Sequence, residues 1–300
     1  MNIVIFGASS TIGQASIPLL REAGHTLRLV SRNPEKLQQF TGADVEIMQA
    51  DLLDEQSVRR ACEGVDMVLA SVASMFGHGK NASKNVDYTG QCRLIDIARE
   101  NSVQHFVYIS TQEATHDNPV SFFRNKARTE DYLRESGLSY TILRASAFFS
   151  PHVELIGDGI LKGGKAMIMG QGENPRNFIA NCDVAKFVVV AFDNPAAHNQ
   201  TIDIGGLDNL TSKQVAEVYA KVAGVDLKST QIPRFIPRIM SKLIKPFHTG
   251  ISDVMTAVVD SDTRSKAFDM SATLTQYPVE LTSLEDWIAG QMQTKQKIQA

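Results

Sequence analysis

Cysteine is scarce in this chain, with three among 300 residues, and Cys62, Cys92 and Cys182 stand far apart. Their number is odd and their spacing matches no metal-ligand pattern, so the expectation is three reduced thiols, no disulfide framework and no metal. Charge of one sign is also lacking. Thirty Lys and Arg against 33 Asp and Glu leave a net charge of −3, and the basic residues are spread along the chain. That removes the electrostatic case for nucleic acid or an anionic membrane as partner. No run approaches the roughly 20 apolar residues that a membrane helix needs, and no basic-then-apolar leader precedes the first apolar stretch, so a cytoplasmic protein without a membrane span is expected. Repeats and low-complexity tracts are missing as well. At 43% hydrophobic residues the chain has enough apolar material for a substantial core and a smaller second lobe.

What is there begins at once. Ile3 to Phe6 is an apolar, β-branched run that suits a buried parallel strand, Gly7 breaks it, and an amphipathic helix is expected from Gln14 to Ala23, opened by Gly13. Strand, tight turn and helix at this spacing present backbone N–H groups and the positive end of a helix dipole to a pyrophosphate. The middle glycine of the usual fingerprint is missing: Ser10 or Thr11 stands there, according to the spacing chosen. Small hydroxyl residues still let phosphates approach and can donate hydrogen bonds, so Gly7, Ser9, Ser10, Thr11, Ile12 and Gly13 form a candidate phosphate loop, with an empty strand-to-helix turn as the alternative.

A second strand, Thr26 to Val30, runs into Ser31-Arg32-Asn33-Pro34-Glu35-Lys36. In a dinucleotide fold this strand tip meets the adenosine ribose, where an acidic residue would take the 2′-OH and an Arg the 2′-phosphate. Ser31, Arg32 and Lys36 therefore favour NADP(H) over NAD(H), or form a solvated basic loop. Val45 to Gln49 is a third strand, after which Asp51 and Leu52 are candidates for the adenine edge and Asp54 for the cap of a helix over 55–63. Val65 to Val72 is a fourth, and the small residues from Ser71 to Ser74, with Ser71, Val72 and Ala73 as the cofactor candidates, would let a nicotinamide lie over the strand end. A helix over 85–101, a strand over 105–110, a helix over 120–136 and a strand over 139–143 follow. Six alternations in about 145 residues predict an α/β doubly wound, mostly parallel Rossmann sheet, whose ligands bind at the carboxyl ends of the strands. Residues 1–150 are assigned to the nucleotide-binding domain and 151–300 to a smaller, mainly helical substrate-binding or lid region interleaved with the sheet. That region holds the glycine turns Gly163-Gly164 and Gly170-Gln171-Gly172, a strand near 201–204 and helices over 211–223, 233–246 and 281–292. The segment 233–246, apolar and basic together, reads as a lid or docking helix, with a membrane-surface role as the alternative.

Gly7-Ala-Ser-Ser-Thr-Ile-Gly13, Ser31-Arg32-Asn33-Pro34-Glu35-Lys36, Ala50-Asp51-Leu52, Val86-Asp87-Tyr88-Thr89-Gly90, Phe106-Val107-Tyr108-Ile109-Ser110 and Tyr140-Thr141-Ile142-Leu143-Arg144 together resemble the atypical, extended short-chain dehydrogenase/reductases, within them the NmrA-like NAD(P)-binding branch. The resemblance spans residues 1–205 and implies a Rossmann fold and an NAD(P) cofactor. The family's usual catalytic pair is Tyr-x-x-x-Lys, with Tyr as proton donor and Lys holding the ribose and lowering the Tyr pKa. Here the matching helix reads Phe122-Phe123-Arg124-Asn125-Lys126, so the Lys is kept and the Tyr is Phe122. NmrA-like members often keep the Lys alone; some are reductases, some reduce quinones and some bind the dinucleotide as sensors. Tyr132 lies off the helical face of Lys126, and Tyr108 is expected to be packed. Ser110 and Thr111 are the nearest hydroxyls to a substrate carbonyl, or local caps of their strand. Phe148, Phe149 and His152 would line an apolar substrate pocket, His152 being either a proton donor or a solvated loop residue.

Three functions are weighed. The first is an NADPH-dependent oxidoreductase acting on an apolar carbonyl- or quinone-type small molecule, with Lys126, Ser110 and Thr111 as catalytic candidates. The second is a non-catalytic NADP(H) sensor acting through a protein partner, and the third a scaffold or assembly factor that has lost the cofactor.

Overall fold

The computed structural model describes residues 1–162 and 164–299, without the side chains of 151 and 294–299. Gly163, half of the expected Gly163-Gly164 turn, lies outside the described residues. In chain order the first half comprises β1 (Asn2–Phe6), α1 (Thr11–Glu22), β2 (Thr26–Ser31), β3 (Val45–Gln49), α2 (Glu55–Cys62), β4 (Met67–Ala70), α3 (Gln91–Glu100), β5 (His105–Thr111), α4 (Ser121–Glu135) and β6 (Tyr140–Ala145). The second half comprises β7 (Ala147–Phe148), α5 (Glu154–Leu161), β8 (Ala166–Met169), β9 (Arg176–Ile179), α6 (Asn181–Asp193), β10 (Gln200–Ile204), β11 (Asn209–Leu210), α7 (Ser212–Ala223), β12 (Ser229–Ile232), α8 (Phe235–Ile244), α9 (Thr249–Ser261), α10 (Ser271–Gln276) and α11 (Leu284–Gln299).

The main sheet has seven strands in the order β10-β6-β5-β4-β1-β2-β3, every neighbouring pair parallel. Strand β1 sits at the centre and its alternation serves both faces. Ile3 and Ile5 point to one side, against Ile17 and Leu20 of α1 and Phe187 and Val188 of α6. Val4 and Phe6 point to the other, against Val58 and Ala61 of α2 and Leu94 and Ile95 of α3. All four strand residues are at most 1% exposed, which is why the strand reads as continuously apolar. Burial of this kind is worth about 1.5–3 kcal/mol per large side chain.

Several elements differ from what the sequence predicts. Helix α1 begins at Thr11, three residues before Gln14, because Ser10 caps it: the Ser10 side chain accepts from Gly13 N at 3.0 Å. The expected helix over 85–101 is a π-helical turn over Lys84–Gly90 followed by α3. Strand β4 is shorter than 65–72, and β8 and β12 form a two-stranded parallel ribbon that the sequence reading lacked. The C-terminal lobe combines this ribbon, a three-stranded sheet β11-β9-β7 and the helices α5, α7 and α8 to α11. It is not a contiguous half of the chain. Segment 181–204 returns to the main sheet, where α6 covers one face and β10 pairs with β6 through Gln200↔Thr141 to Ile204↔Ala145.

Candidate functional site

Strand order reverses between β1 and β4, so their connections leave in opposite directions and open a crevice beyond the carboxyl ends. A cavity of about 250 Å³ occupies it. Its walls come from the tips of the first four strands: Gly7, Ser9 and Ser10 after β1, Ser31 to Asn33 and Lys36 at β2, Ala50 to Leu52 after β3, and Ser71 to Ser74 after β4.

Two glycines make the crevice possible. Gly7 has φ +88°, and a Cβ there would stand 2.8 Å from Ser71 Oγ and 2.9 Å from the Ser71 carbonyl carbon. A side chain would therefore be strained and would also push the two strand tips apart. At Gly13 a Cβ would meet Ala8 Cα at 2.8 Å, so this glycine sets how closely α1 approaches β1. Ile12 packs into the core and Thr11 is exposed on the first turn. Neither lines the cavity with its side chain, but both belong to the first turn of α1, where backbone N–H groups lack partners four residues back. The role expected for Ser10 changes in kind: its hydroxyl is committed to the cap and lies 3.4 Å from Ser71 Oγ.

At the second wall, Ser31 Oγ lies 3.0 Å from Ser9 Oγ and accepts from Asn33 N at 3.1 Å. Arg32 is exposed, and its guanidinium donates one hydrogen bond, to Asn81 Oδ1 at 3.2 Å. Asp51 accepts from Leu53 N at 3.0 Å while its own N–H donates to Ser57 Oγ, which shapes the turn beside Leu52. The structure thus brings Gly7, Ser9, Ser10, Ser31, Arg32, Lys36, Asp51, Leu52, Ser71, Val72 and Ala73 to one cavity. Ser74, expected with Ser71 to Ala73, also lines it, as do Asn33 and Val86, which the sequence offers as parts of motifs but not as ligand candidates.

The catalytic candidates are not part of this wall. Lys126 is 3% exposed, and its ammonium donates to the Ile109 carbonyl at 2.9 Å, lies 3.7 Å from Asp87 Oδ1 and stands 4.6 Å above the Tyr108 ring. Burial lowers the Lys126 pKa, and burial raises that of Asp87 to about 6 in spite of the neighbouring cation. Asp87 also accepts from Ser74 N at 3.1 Å, which ties the buried pair to the β4 side of the cavity. Asp87 belongs to the Val86–Gly90 motif of the resemblance, but its pairing with Lys126 is not visible in the sequence. Phe122, in the position of the family's Tyr, is 8% exposed and packs edge-on against Phe123.

Ser110 is buried and donates to Glu130, which also binds Arg144 and Arg134. Thr111 stays half-buried at the strand end, its Oγ1 accepting from Glu113 N at 3.3 Å. Tyr132 is held by Asp96, and Tyr108 is fully buried in the core.

The expected substrate wall also changes. Phe149 is buried against Trp287, ring centroids 5.3 Å apart, and Phe148 is half-buried at the edge of the main core. Burial and the Arg176 cation lower the His152 pKa to about 4. Arg176 pairs with Glu113 at 2.8 Å, and Glu113 also binds Lys266 at 2.9 Å, which pins β9 and the segment after α9 to the end of β5. Among the described residues no group of three or more His, Cys, Asp or Glu could hold a metal ion, and no helix is long and apolar enough to cross a membrane.

The photosystem II assembly factor Ycf39 of Trieres chinensis is 25% identical over 96% of this chain and 91% of that protein. The NAD(P)H azoreductase of Xenophilus azovorans is 26% identical over 74% of each chain. Among solved structures, the NADPH-dependent quinone oxidoreductase QOR2 of Escherichia coli, complexed with NADPH, superposes with a TM-score of 0.78 at 20% identity, covering 97% of this chain and all of that one. At that identity the likeness speaks for the fold. The model of the NmrA-like family matches residues 1–288, nearly the whole chain. With its parallel sheet, its glycine-bounded crevice between β1 and β4 and this match, the chain belongs to the NmrA-like family.

Proposed function

We propose that this chain is a cytoplasmic reductase that holds NADPH in the crevice and reduces an apolar, quinone-type acceptor. The observation that carries the reading is the pair Phe122 and Lys126: a phenyl ring stands where the family has its proton donor, and the remaining ammonium is buried against Asp87. Such a site suits an acceptor that needs no acid from the protein. Hydride addition to a quinone leaves a phenolate, which water can protonate. The alkoxide from a simple ketone is far more basic and calls for a positioned donor.

The residues present fit the cofactor. Gly7 lets the chain pass close beneath a pyrophosphate, and Ser9 with the first turn of α1 would hold it. Ser31, Arg32 and Lys36 would take the ribose and its 2′-phosphate, Asp51 and Leu52 the adenine edge, and Ser71 to Ala73 the approach to the nicotinamide. When bound, NADPH supplies the hydride. Arg32, exposed and held by a single hydrogen bond, is free to turn toward a phosphate dianion, and this supports a preference for NADPH over NADH. Lys126 holds the Ile109 carbonyl and Asp87, so it acts as a positioning residue of the β4 and β5 tips.

A second reading is favoured by the breadth of the match to the assembly factor, 96% of this chain against 74% for the azoreductase. In it the same crevice reports the NADPH/NADP⁺ ratio to a protein partner without turnover. Titration with NADPH, followed by NADPH oxidation with a panel of quinones and azo compounds, separates the two. Binding with oxidation by a quinone supports the reductase. Binding without oxidation by any acceptor overturns it in favour of the sensor, and failure to bind overturns both.

A further inference from the structure

The net charge of the chain conceals a local concentration. Between Asp226 and Asp253 there is no acidic residue, while Lys228, Arg234, Arg238, Lys242 and Lys245 fall in that interval. Most of them lie on or beside α8. At 100° per residue, Phe235, Ile239 and Leu243 form one row along this helix, continued by Phe247 just beyond it, and Arg238, Lys242 and Lys245 form the adjacent row. The helix turns Pro237 toward the protein. The apolar row faces outward, with Leu243 67% and Phe247 78% exposed. Arg234 pairs with Asp262 at 3.3 Å, but Arg238, Lys242 and Lys245 meet no acid among the described residues.

From this pairing of faces we infer that α8 lies on the surface of an anionic lipid bilayer, apolar row inserted and cations against the headgroups. Charge complementarity selects the occupant. Lysine is depleted from protein interfaces, where its ammonium would be desolvated. At a bilayer surface its long stem lets the charge reach the headgroups while the neighbouring apolar row is buried. The rest of the molecule, net negative, is repelled from such a surface, so the contact is confined to this face and sets an orientation. His248 stacks on His78 at 4.7 Å, and a Cβ on Gly250 would stand 2.7 Å from the Gly77 carbonyl oxygen. These contacts join the segment after α8 to the loop after β4, where Phe76 is also exposed. The inference does not depend on turnover in the crevice.

The test is co-sedimentation of the full chain with large unilamellar vesicles, either of phosphatidylcholine alone or of phosphatidylcholine mixed with phosphatidylglycerol. The expected result is pelleting with the anionic vesicles at low salt. Each cation near an anionic surface contributes about fivefold to partitioning, so Arg238→Ser with Lys242→Ser lowers the partition coefficient about thirtyfold. Leu243→Glu with Phe247→Glu abolishes pelleting. All four positions are on the solvent side, so an unchanged circular dichroism spectrum and melting temperature show that the variants are folded. A chain that stays in the supernatant overturns the inference, as does equal pelleting with neutral vesicles or equal pelleting of the variants. A solution dimer that the Leu243→Glu/Phe247→Glu variant converts to a monomer, without vesicle binding, would assign the face to a second copy and overturn it too.

Discussion

Replacing Lys126 by Met keeps most of the side-chain volume and deletes the charge. In the wild-type chain the buried Asp87 carboxylate has this ammonium 3.7 Å away, and even so burial raises its pKa from 3.8 to about 6. Removing one partner of a buried pair leaves an uncompensated charge, which costs about 3–5 kcal/mol near neutral pH. The pH dependence identifies the cause. A carboxyl with a raised folded-state pKa contributes stability that is present below its unfolded pKa and is lost as pH rises through the folded one. In the wild type that loss is complete a little above pH 6. In Lys126→Met the folded pKa of Asp87 climbs further, because the cation that lowered it is gone. Stability therefore keeps falling by about 1.4 kcal/mol per pH unit, roughly 3 kcal/mol between about pH 6 and about pH 8. The lowered pKa of Lys126 acts in the opposite sense in the wild type, raising stability with pH below the ordinary lysine range. Urea unfolding followed by Trp287 emission at several pH values measures both curves. If they run parallel, or if the loss is below about 1 kcal/mol, the ammonium does not compensate Asp87 and the reasoning fails. Adding Asp87→Asn to the variant should flatten its slope.

Other perturbations address the crevice and the lobe contact. Arg32→Glu should weaken NADPH binding at least about tenfold and leave NADH nearly unchanged, since it removes a charge-assisted partner of the 2′-phosphate alone; parallel fluorescence titrations decide it. Gly13→Val places a branched side chain where a Cβ already stands 2.8 Å from Ala8 Cα, so α1 must move off β1. The variant should lose both nucleotide binding and thermal stability, and unaltered titration curves would show that the helix yields at no cost. Asp183, fully buried, accepts from Thr282 N at 2.7 Å and Thr282 Oγ1 at 3.0 Å and pairs with Lys186. Asp183→Ala should cost about 2–4 kcal/mol and free the segment before α11, read as faster amide hydrogen exchange around residue 282.

The sheet was legible because a buried parallel strand is apolar on both faces, and β1, β4 and the middle of β5 announce themselves by that run, while the edge strand β3 alternates. The lining of the crevice was legible for a related reason: in a parallel sheet it lies a step or two past the strand ends, so locating the strands locates Gly7, Arg32, Asp51 and Ser71. What failed depends on distant partners. Ser110 looks like a free hydroxyl until Glu130, twenty residues on, arrives from α4 to claim it. His152 looks solvated until Arg176 and the surrounding burial lower its pKa. Asp87 and Lys126 are separated by 39 positions, and only the packing of the turn before α3 against α4 makes them a pair. The start of α1 was misplaced because Ser10 was weighed as a phosphate ligand rather than as a cap.

The return of segment 181–204 to the main sheet has a consequence for the order of events during synthesis. A nascent chain that has emerged only to residue 150 has made six strands, yet the outer edge of β6 stays unpaired until β10 arrives, and Ile17 and Leu20 lack the α6 side chains that cover them. Such an intermediate presents an open edge and an apolar face together, the combination that invites self-association. Closure must wait until roughly fifty further residues, through β10, have been translated. The two lobes are thereby bound to a single folding event, and a chain cut near residue 150 would be released into solution at its most adhesive stage.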